Sequence, residues 1–249
     1  MSNPPTNGQS ATEARPSRGS KEFARQVNRM FDRIAGVYDL MNRVMTVGLD
    51  RDWRRRAAER ADLQPGDAAL DVCCGTGDLA LELAGRVGSE GTVIGCDFSE
   101  PMLDLAREKA PRSAPVRFEW ADALELPYAD GRFDAVTIGF GARNLADLDR
   151  GLGELTRVLR PGGRLVILEI TRPTRPPLAW FFALWFERIV PLLGALAGDR
   201  DAYSYLPESV RSFPSPRDLA ARMERAGLER IRYTILAGGI IAIYSGARR

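Results

Sequence analysis

The chain has 249 residues, of which 45% are hydrophobic and 27% are charged, and these ordinary globular values exclude a chain that is disordered throughout. The formal net charge of +2 and the lack of a basic block predict no nucleic-acid partner. Histidine is absent and the three cysteines form no C-x-x-C site, so the sequence excludes histidine triads and predicts no metal site and a reducing, cytoplasmic location.

The first 20 residues are rich in Pro, Ser, Gly, Asn and Thr, and we expect a disordered tail there because they cannot bury a core. The rest of the chain, 21–249, is predicted to be a single domain. Apolar residues recur at helical spacing from Phe23 to Ile34, and Gly36 then interrupts the pattern. We expect a loop after that glycine and a second helix from about Arg51, so that residues 21–62 form a helical lid.

The segments between residues 68 and 170 alternate between strand-like and helix-like patterns. Short apolar runs predict strands at 68–73, 92–96, 116–120, 135–139 and 165–170, and amphipathic patterns predict helices at 79–87, 101–109 and 148–159. Strands joined by helices pair in parallel through right-handed crossovers. The alternation therefore predicts an α/β fold with a Rossmann-like, mainly parallel sheet.

The alternation stops after residue 170, and we expect residues 175–215 to form a helical insertion. Residues 178–197 are strongly apolar, but Glu187 and Arg188 argue against a membrane-spanning helix. Two interpretations stay open, a buried core helix and an apolar wall that rests on a membrane interface. A helix over 217–226 and two strands around Ala237-Gly238-Gly239 follow. That hairpin predicts that the sheet ends with an antiparallel strand.

The first strand-to-helix turn, D-V-C-C-G-T-G-D at residues 71–78, has the glycine spacing of a nucleoside-binding turn. Gly75 and Gly77 let the backbone approach a ligand where a side chain would clash. Asp97 ends the next strand 20 residues after Gly77, the spacing of a carboxylate that accepts hydrogen bonds from ribose hydroxyls. The alternative is a plain tight turn with a solvated aspartate.

A second aspartate, Asp122, follows the third strand in the segment W-A-D-A. Ligands bind at the carboxyl ends of such strands, so Asp122 can accept from an exocyclic amine beside a backbone N–H at Ala123. The alternative is a helix N-cap. Nicotinamide cofactors and S-adenosylmethionine both use such a turn and carboxylate. The antiparallel hairpin and the D-x-x-x-G-x-G turn favour S-adenosylmethionine, because they resemble the class I methyltransferases.

Four longer segments carry a more specific resemblance. They are residues 38–55 (YDLMNRVMTVGLDRDWRR), 140–144 (FGARN), 157–173 (RVLRPGGRLVILEITRP) and 201–214 (DAYSYLPESVRSFP). From about Phe31 to its end, the chain is similar to the ubiquinone/menaquinone biosynthesis C-methyltransferases. Its C-C-G-T-G turn resembles the menaquinone branch of that family.

The resemblance implies S-adenosylmethionine as the cofactor and a set of residues that bind it. Thr76 would contact the cofactor, Asp97 its ribose, and Asp122 with Ala123 its adenine. Gly139 stands where family members carry a serine, so a contact at this position would come from the backbone. The implied binding set is Asp71, Gly75, Thr76, Gly77, Asp97, Asp122, Ala123 and Gly139.

The resemblance also implies the substrate, a demethylated naphthoquinol with a polyprenyl tail, methylated on a ring carbon in the last step of menaquinone synthesis. Only the reduced quinol ring is nucleophilic towards a sulfonium methyl, at the carbon beside a hydroxyl that becomes phenolate-like. Arg143 and Asn144 would face the transferring methyl, with Arg143 holding the oxyanion or orienting a water that takes the proton. Tyr38 and Asp39 would belong to the lid, and either is a candidate base.

Plainer interpretations stand beside these roles. Arg143 could be a surface arginine with Asn144 capping the next helix, and Tyr38 and Asp39 could belong to a capped loop. The three arginines at 54–56 are expected to form a solvated face, with a membrane-facing role as the alternative.

Competing functions also stay open. They are a dual enzyme that also methylates a benzoquinol, a nucleotide-binding oxidoreductase, and a non-catalytic protein of the membrane surface. For the methyltransferase we expect peripheral contact with the inner face of the cell membrane, and we allow for a homodimer.

Overall fold

Apolar segments form the centre of a seven-stranded sheet in a computed structural model, which describes residues 20–174, 176–185, 188 and 200–249. The strands are β1 Ala68–Val72, β2 Thr92–Asp97, β3 Val116–Trp120, β4 Phe133–Gly139, β5 Leu159–Ile170, β6 Leu228–Leu236 and β7 Ile241–Arg248. Their order across the sheet is β3-β2-β1-β4-β5-β7-β6. The first five pair in parallel, and β7 pairs antiparallel with both β5 and β6. The predicted Rossmann-like sheet with an antiparallel last strand is confirmed.

Helices cover both faces of this sheet. They are α1 Lys21–Thr46, α2 Asp50–Arg60, α3 Asp78–Val87, α4 Glu100–Lys109, α5 Leu148–Arg157, α6 Leu178–Leu184, α7 Arg200–Ser212 and α8 Pro216–Arg225. One buried cluster joins Leu152 of α5 and Leu219 of α8 to the strands. A second cluster joins α2, α3 and α4 to the strands through residues such as Ala57, Leu83 and Leu103. A cavity lies at the carboxyl ends of β1 to β4, between these strand ends and α1.

The segment after Gly36 is helical rather than a loop, so this part of the sequence prediction is wrong. Helix α1 runs through Gly36 to Thr46, because Tyr38, Met41 and Met45 continue the apolar stripe of Ile34. A glycine inside a helix costs about 1 kcal/mol relative to alanine. The burial of that stripe against Tyr205 and Leu206 of α7 opposes this cost.

The segment between the predicted helix over 148–159 and the predicted strand over 165–170 differs from its prediction. The helix ends at Arg157, and β5 already begins at Leu159 and includes the turn R-P-G-G. Leu159 pairs with Phe133, and the next pair joins Arg164 to Ala135, so the turn is a bulge within the strand. Gly162 has φ of 78° there, which suits a glycine at the bend.

Part of the predicted insertion over residues 175–215 is helical, in α6 and α7. Most of the apolar segment after residue 185, and the predicted N-terminal tail except Ser20, lie outside the described residues. Within the described part of the chain, no helix is both long and apolar enough to cross a membrane.

Candidate active site

A cavity of about 120 Å³ opens at the carboxyl ends of β1 to β4, and we call it the strand-end cavity. Five residues that the sequence predicted for cofactor binding line it together: Gly75, Asp97, Asp122, Ala123 and Gly139. Their neighbours include apolar side chains such as Val27 and Met102. A space with apolar walls and two carboxylates suits a nucleoside, whose base is flat and whose ribose donates hydrogen bonds.

The glycine turn adopts a backbone that only small residues tolerate well. Gly75 has φ of 54° and Gly77 has φ of 83°, both in the left-handed region. A Cβ on Gly77 would lie 2.8 Å from the ring of Phe118, so a side chain would also clash. Gly77 precedes α3, and the turn therefore brings the N-terminus of that helix close to the cavity.

Asp97 stabilises the glycine turn and also the turn after β2, at Ser99. Its Oδ2 accepts a hydrogen bond from the Gly75 amide at 2.8 Å, and its Oδ1 accepts from the Ser99 amide at 2.9 Å. Burial raises the pKa of Asp97, and those amide hydrogen bonds oppose the rise. A carboxylate offers about four lone-pair sites, so Asp97 keeps acceptor capacity for a ribose hydroxyl.

Asp71 lies beneath the turn instead of lining the cavity. Its side chain is buried, and its Oδ1 accepts a hydrogen bond from the Thr137 hydroxyl at 2.6 Å. Burial raises the pKa of Asp71 to about 7, while the hydrogen bond from Thr137 opposes that rise. The geometry favours a bracing role between β1 and β4 over direct contact with a cofactor.

Thr76 and Asp39 meet in a polar cluster that lies outside the strand-end cavity. We call this cluster of Asp39, Thr76, Asp78 and Lys109 the Lys109 clasp. The Thr76 hydroxyl donates to Asp39 Oδ1 at 2.6 Å and accepts from Lys109 Nζ at 3.0 Å. Lys109 Nζ also donates to Asp39 Oδ2 at 2.6 Å and to Asp78 Oδ1 at 2.7 Å. Burial acts to raise the pKa of Asp39, but the hydrogen bonds from Lys109 and Thr76 hold it below its usual value. The clasp ties α1 to α3 and α4 across the glycine turn.

A second space of about 340 Å³, the apolar cavity, lies between α1, α2, α6 and α7. Its walls are mostly apolar and aromatic, and include Met30, Ile34, Met41, Met45, Trp53 and Phe182. Phe31, Tyr38 and Phe140 line both this cavity and the strand-end cavity. These three side chains therefore mark the place where the contents of the two cavities would meet.

Arg143 and Asn144 lie at that boundary, in a short 3-10 turn after β4. Arg143 lines the apolar cavity and Asn144 lines the strand-end cavity. Arg143 Nη1 donates to Oε1 of the buried Glu169 at 2.8 Å, and the Tyr205 hydroxyl donates to Asn144 Oδ1 at 3.1 Å. Burial acts to lower the pKa of Arg143, but the Glu169 carboxylate holds it above its usual value. The guanidinium is thus buried and charged, unlike a surface arginine.

Sequence reasoning missed an ion pair in the apolar cavity. Arg54 was expected on a solvated face, and this prediction is wrong because Arg54 is buried while Arg55 and Arg56 are exposed. Arg54 Nη1 pairs with Asp50 Oδ2, and Asp50 Oδ1 accepts from the Thr46 hydroxyl at 3.0 Å. Helical spacing was the available signal, since Arg54 lies on the same side of α2 as the buried Ala57 and Ala58.

Comparison with known proteins gives concordant findings. A model of the ubiE/COQ5 methyltransferase family matches residues 18–248. The chain is 50% identical to the demethylmenaquinone methyltransferase of Thermus thermophilus, over 88% of this chain and 100% of that one. It is 48% identical to the demethylmenaquinone methyltransferase of Deinococcus radiodurans, over 95% and 99%. A solved SAM-dependent methyltransferase from Thermotoga maritima superposes with a TM-score of 0.64 at 20% identity, over 90% and 100% of the two chains, and this likeness concerns the fold.

Proposed function

The chain belongs to the ubiE/COQ5 methyltransferase family, and from that membership we propose that it transfers a methyl group from S-adenosylmethionine to a ring carbon of demethylmenaquinol. The product is menaquinol, and the reaction is the last step of menaquinone synthesis. The observation that carries the proposal is the match over nearly the whole chain to curated demethylmenaquinone methyltransferases, at up to 50% identity among those compared. The two adjoining cavities support it.

The strand-end cavity fits S-adenosylmethionine. The positive φ values at Gly75 and Gly77 allow the backbone to come close to the ligand, and Asp97 keeps acceptor sites for ribose hydroxyls. Asp122 and Ala123 line the same space, where an adenine would find an acceptor and a backbone donor. When bound, the cofactor supplies an electrophilic methyl group on a sulfonium. In this proposal Thr76 and Asp71 support the turn from outside the cavity.

The apolar cavity fits the second reactant. A polyprenyl naphthoquinol is apolar except for two hydroxyl groups, and the cavity is lined by methionine, isoleucine and aromatic side chains. It adjoins the strand-end cavity at Phe31, Tyr38 and Phe140. A ring held at this boundary would lie beside the sulfonium methyl, with water excluded by the surrounding apolar side chains.

Arg143 is our candidate for stabilising the phenolate that forms as the ring attacks. Its charge is held in place by Glu169, so little reorganisation is needed when negative charge develops nearby. Asp39 is a weaker candidate for the base than the sequence suggested, because its carboxylate is bound in the Lys109 clasp and outside the cavities. Tyr38 lines both cavities and remains a candidate for contact with the quinol hydroxyl.

We further propose that the protein meets its substrate at the inner face of the cell membrane. Large apolar side chains are exposed on two of the helices that wall the apolar cavity, among them Leu40 of α1 and Trp180 of α6, and Val47 is exposed just after α1. Val47 also lines the cavity, and the exposed Arg43 and Arg51 lie nearby in the chain. Apolar side chains flanked by basic ones suit an anionic lipid surface. The homodimer stays a prediction.

A methyl-transfer assay tests the function most simply. The purified protein is given labelled S-adenosylmethionine with reduced, prenylated naphthoquinol and benzoquinol substrates side by side, and with NAD in a separate binding experiment. We expect methylation of the naphthoquinol and no binding of NAD. Equal turnover of the benzoquinol would establish the dual enzyme instead. NAD binding without methyl transfer would establish an oxidoreductase.

A further inference from the structure

Two ion pairs contribute charged side chains to the apolar cavity, and the proposed reaction uses only one of them. Among the described residues that line it, Asp50 is the acidic one, and Arg54 and Arg143 are the basic ones. Arg143 is paired with Glu169, and Arg54 is paired with Asp50. The side chains of Asp50 and Arg54 are 7% and 9% exposed. An ion pair buried beside apolar side chains pays a desolvation cost that a pair of apolar residues would avoid.

Both arginines contact the same residue at the boundary of the two cavities. Arg143 Nη1 donates to the carbonyl oxygen of Phe140, and the Arg54 guanidinium lies 5.6 Å from the centre of the Phe140 ring. Phe140 itself has φ of 58°, a left-handed conformation that is uncommon for a bulky residue. One ion pair is therefore fixed at the backbone carbonyl of Phe140 and the other near its ring, and both arginines line the same apolar cavity.

We propose that Asp50 and Arg54 form a second anchor for the substrate ring and hold the hydroxyl that is remote from the methylated carbon. This inference rests on the proposed function, since it concerns the quinol of that reaction. Arg143 holds the oxygen next to the reacting carbon. Asp50 accepts a hydrogen bond from the opposite hydroxyl, and Arg54 donates to the oxygen of that same hydroxyl.

The pair has the hydrogen-bonding capacity that this role requires. Each oxygen of the Asp50 carboxylate accepts one recorded bond, from Thr46 or from Arg54, and a carboxylate has about four lone-pair sites. The recorded contacts of Arg54 with Asp50 and Asp78 all use Nη1, and a guanidinium carries five N–H bonds. A hydroxyl, which both donates and accepts, complements a pair that offers an acceptor and a donor.

This arrangement distinguishes the two redox states of the substrate. A quinone carbonyl accepts from Arg54 but has no proton to give to Asp50, so binding the quinone would place two acceptor oxygens together. The quinol has no such conflict. Asp50 would thereby favour the reduced ring, which is the nucleophilic form, and would limit inhibition by the oxidised form.

The test compares two substrates and two redox states. One substrate is a short-chain prenylated 1,4-naphthalenediol, and the other is its analogue with hydrogen in place of the remote hydroxyl. We expect wild-type kcat/KM to be about ten- to a hundredfold lower for the analogue, the loss typical of one hydrogen bond to a charged group. Asp50→Asn and Arg54→Met should lower kcat/KM for the diol by a similar factor and leave the analogue nearly unchanged.

The quinone supplies the second readout. An asparagine amide can donate to a carbonyl, so Asp50→Asn should bind the quinone as a competitive inhibitor several-fold more tightly than the wild type does. A merely structural role for Asp50 predicts no such gain. Asp52→Asn and Arg55→Met are the matched controls, because these residues pair with each other on the exposed side of α2. Melting temperature and S-adenosylhomocysteine affinity establish that each variant is folded.

Several results would overturn the anchor. The first is a wild-type enzyme with equal kcat/KM for the diol and the analogue. The second is that the variants lower kcat/KM equally for both substrates. The third is a fall in kcat for both substrates at unchanged KM, which would make Asp50 a base. The first comparison needs no variant, so it decides even if the substitutions unfold the chain. A wild type that methylates neither substrate would instead refute the proposed function, and the anchor with it.

Discussion

The buried carboxylate of Asp71 couples the stability of the sheet to pH. Burial raises its pKa from 3.8 to about 7, so the folded protein holds this proton more tightly than the unfolded chain does. Its contribution to stability is therefore fully present below pH 3.8 and is lost as the pH rises towards 7. We expect Asp71→Asn, which keeps an acceptor for Thr137 but does not titrate, to be more stable than the wild type at pH 8.

Denaturant unfolding of both proteins between pH 5 and pH 8 measures this difference. The advantage of Asp71→Asn should grow with pH, to no more than about 4 kcal/mol, which is the limit set by a shift of roughly three pKa units. A difference in unfolding free energy that stays constant across this range would mean that Asp71 keeps an ordinary pKa.

The pairing of Arg143 with Glu169 decides how the proposed catalytic role of Arg143 is tested. Arg143→Ala alone would leave the Glu169 carboxylate buried without its main cation, at a cost of about 3–5 kcal/mol, and the chain could unfold for that reason. The double variant Arg143→Met with Glu169→Gln removes both charges. We expect it to fold, to bind S-adenosylhomocysteine nearly as the wild type does, and to lose about 10²–10³ in single-turnover rate.

The control is Glu169→Gln alone, which keeps the arginine and weakens its positioning. It should lose less rate than the double variant, since the donor to the phenolate is still present. A double variant with wild-type single-turnover chemistry would remove Arg143 from the mechanism and leave it a structural role.

The sequence predicted residues that the structure brings together at the strand-end cavity, and it missed side-chain pairs whose partners come from distant elements. Gly75, Asp97 and Asp122 follow strand ends, and parallel strand ends meet at one edge of a sheet. Asp39 and Lys109 are 70 residues apart, and no pattern in the sequence brings them together. Arg54 was hidden because it stands in a run of three arginines, of which one is buried.

At the scale of elements, the Lys109 clasp holds α1 over the glycine turn. Lys109 on α4 binds Asp39 of α1 and Asp78 of α3, with side chains about one-third exposed. A single exposed ion pair contributes only about 0–1 kcal/mol to stability. In the clasp, two carboxylates and a hydroxyl all bind the Lys109 ammonium, so their contributions combine. We expect Lys109→Met to raise the dissociation rate of S-adenosylhomocysteine about two- to tenfold, because α1 covers the cavity less firmly.

Stopped-flow displacement measures that rate, and Arg107→Met is the matched control, since Arg107 pairs with Glu100 and Asp104 of its own helix. High salt should raise the wild-type rate towards that of Lys109→Met and leave the variant nearly unchanged. An unchanged rate in a folded Lys109→Met variant would show that the clasp does not control the cofactor.

Helices and strands were predicted correctly where the apolar pattern was regular. The prediction failed where tertiary packing opposes the local preference of the sequence, as at Gly36. The strands β1 to β4 and the closing hairpin were predicted to within about two residues, because short apolar runs and a glycine turn define them. Helix α1 was cut short at Gly36, since the burial of Ile34, Tyr38 and Met41 against α7 cannot be read from a local pattern. The bulge in β5 depends on pairing with β4, which is a tertiary contact.

At the scale of the whole molecule, the exposed apolar side chains of α1 and α6 predict binding to lipid vesicles. We expect flotation with anionic vesicles at low salt and weaker flotation at high salt, because both apolar contact and basic residues contribute. The double variant Leu40→Ser with Trp180→Ser should bind less well. Both side chains are more than 60% exposed and neither lines the apolar cavity, so turnover of a short-chain soluble substrate should be kept.

Ile235→Ser is the matched control for lipid binding. Ile235 is also a large exposed apolar residue, but it lies on β6, the strand at the edge of the sheet. Equal losses of flotation in this control and in the double variant would mean that binding is not specific to the exposed apolar side chains of α1 and α6.

The central claim, methyl transfer to the carbon of a reduced ring, has one direct measurement. Under anaerobic conditions, the protein is mixed with S-adenosylmethionine carrying a ¹³C methyl group and a prenylated demethyl naphthoquinone, either fully reduced or kept fully oxidised, and the product is examined by NMR. We predict that the label appears on the ring carbon, in the reduced sample alone. Label on an oxygen atom, or equal transfer to the oxidised ring, would contradict the account.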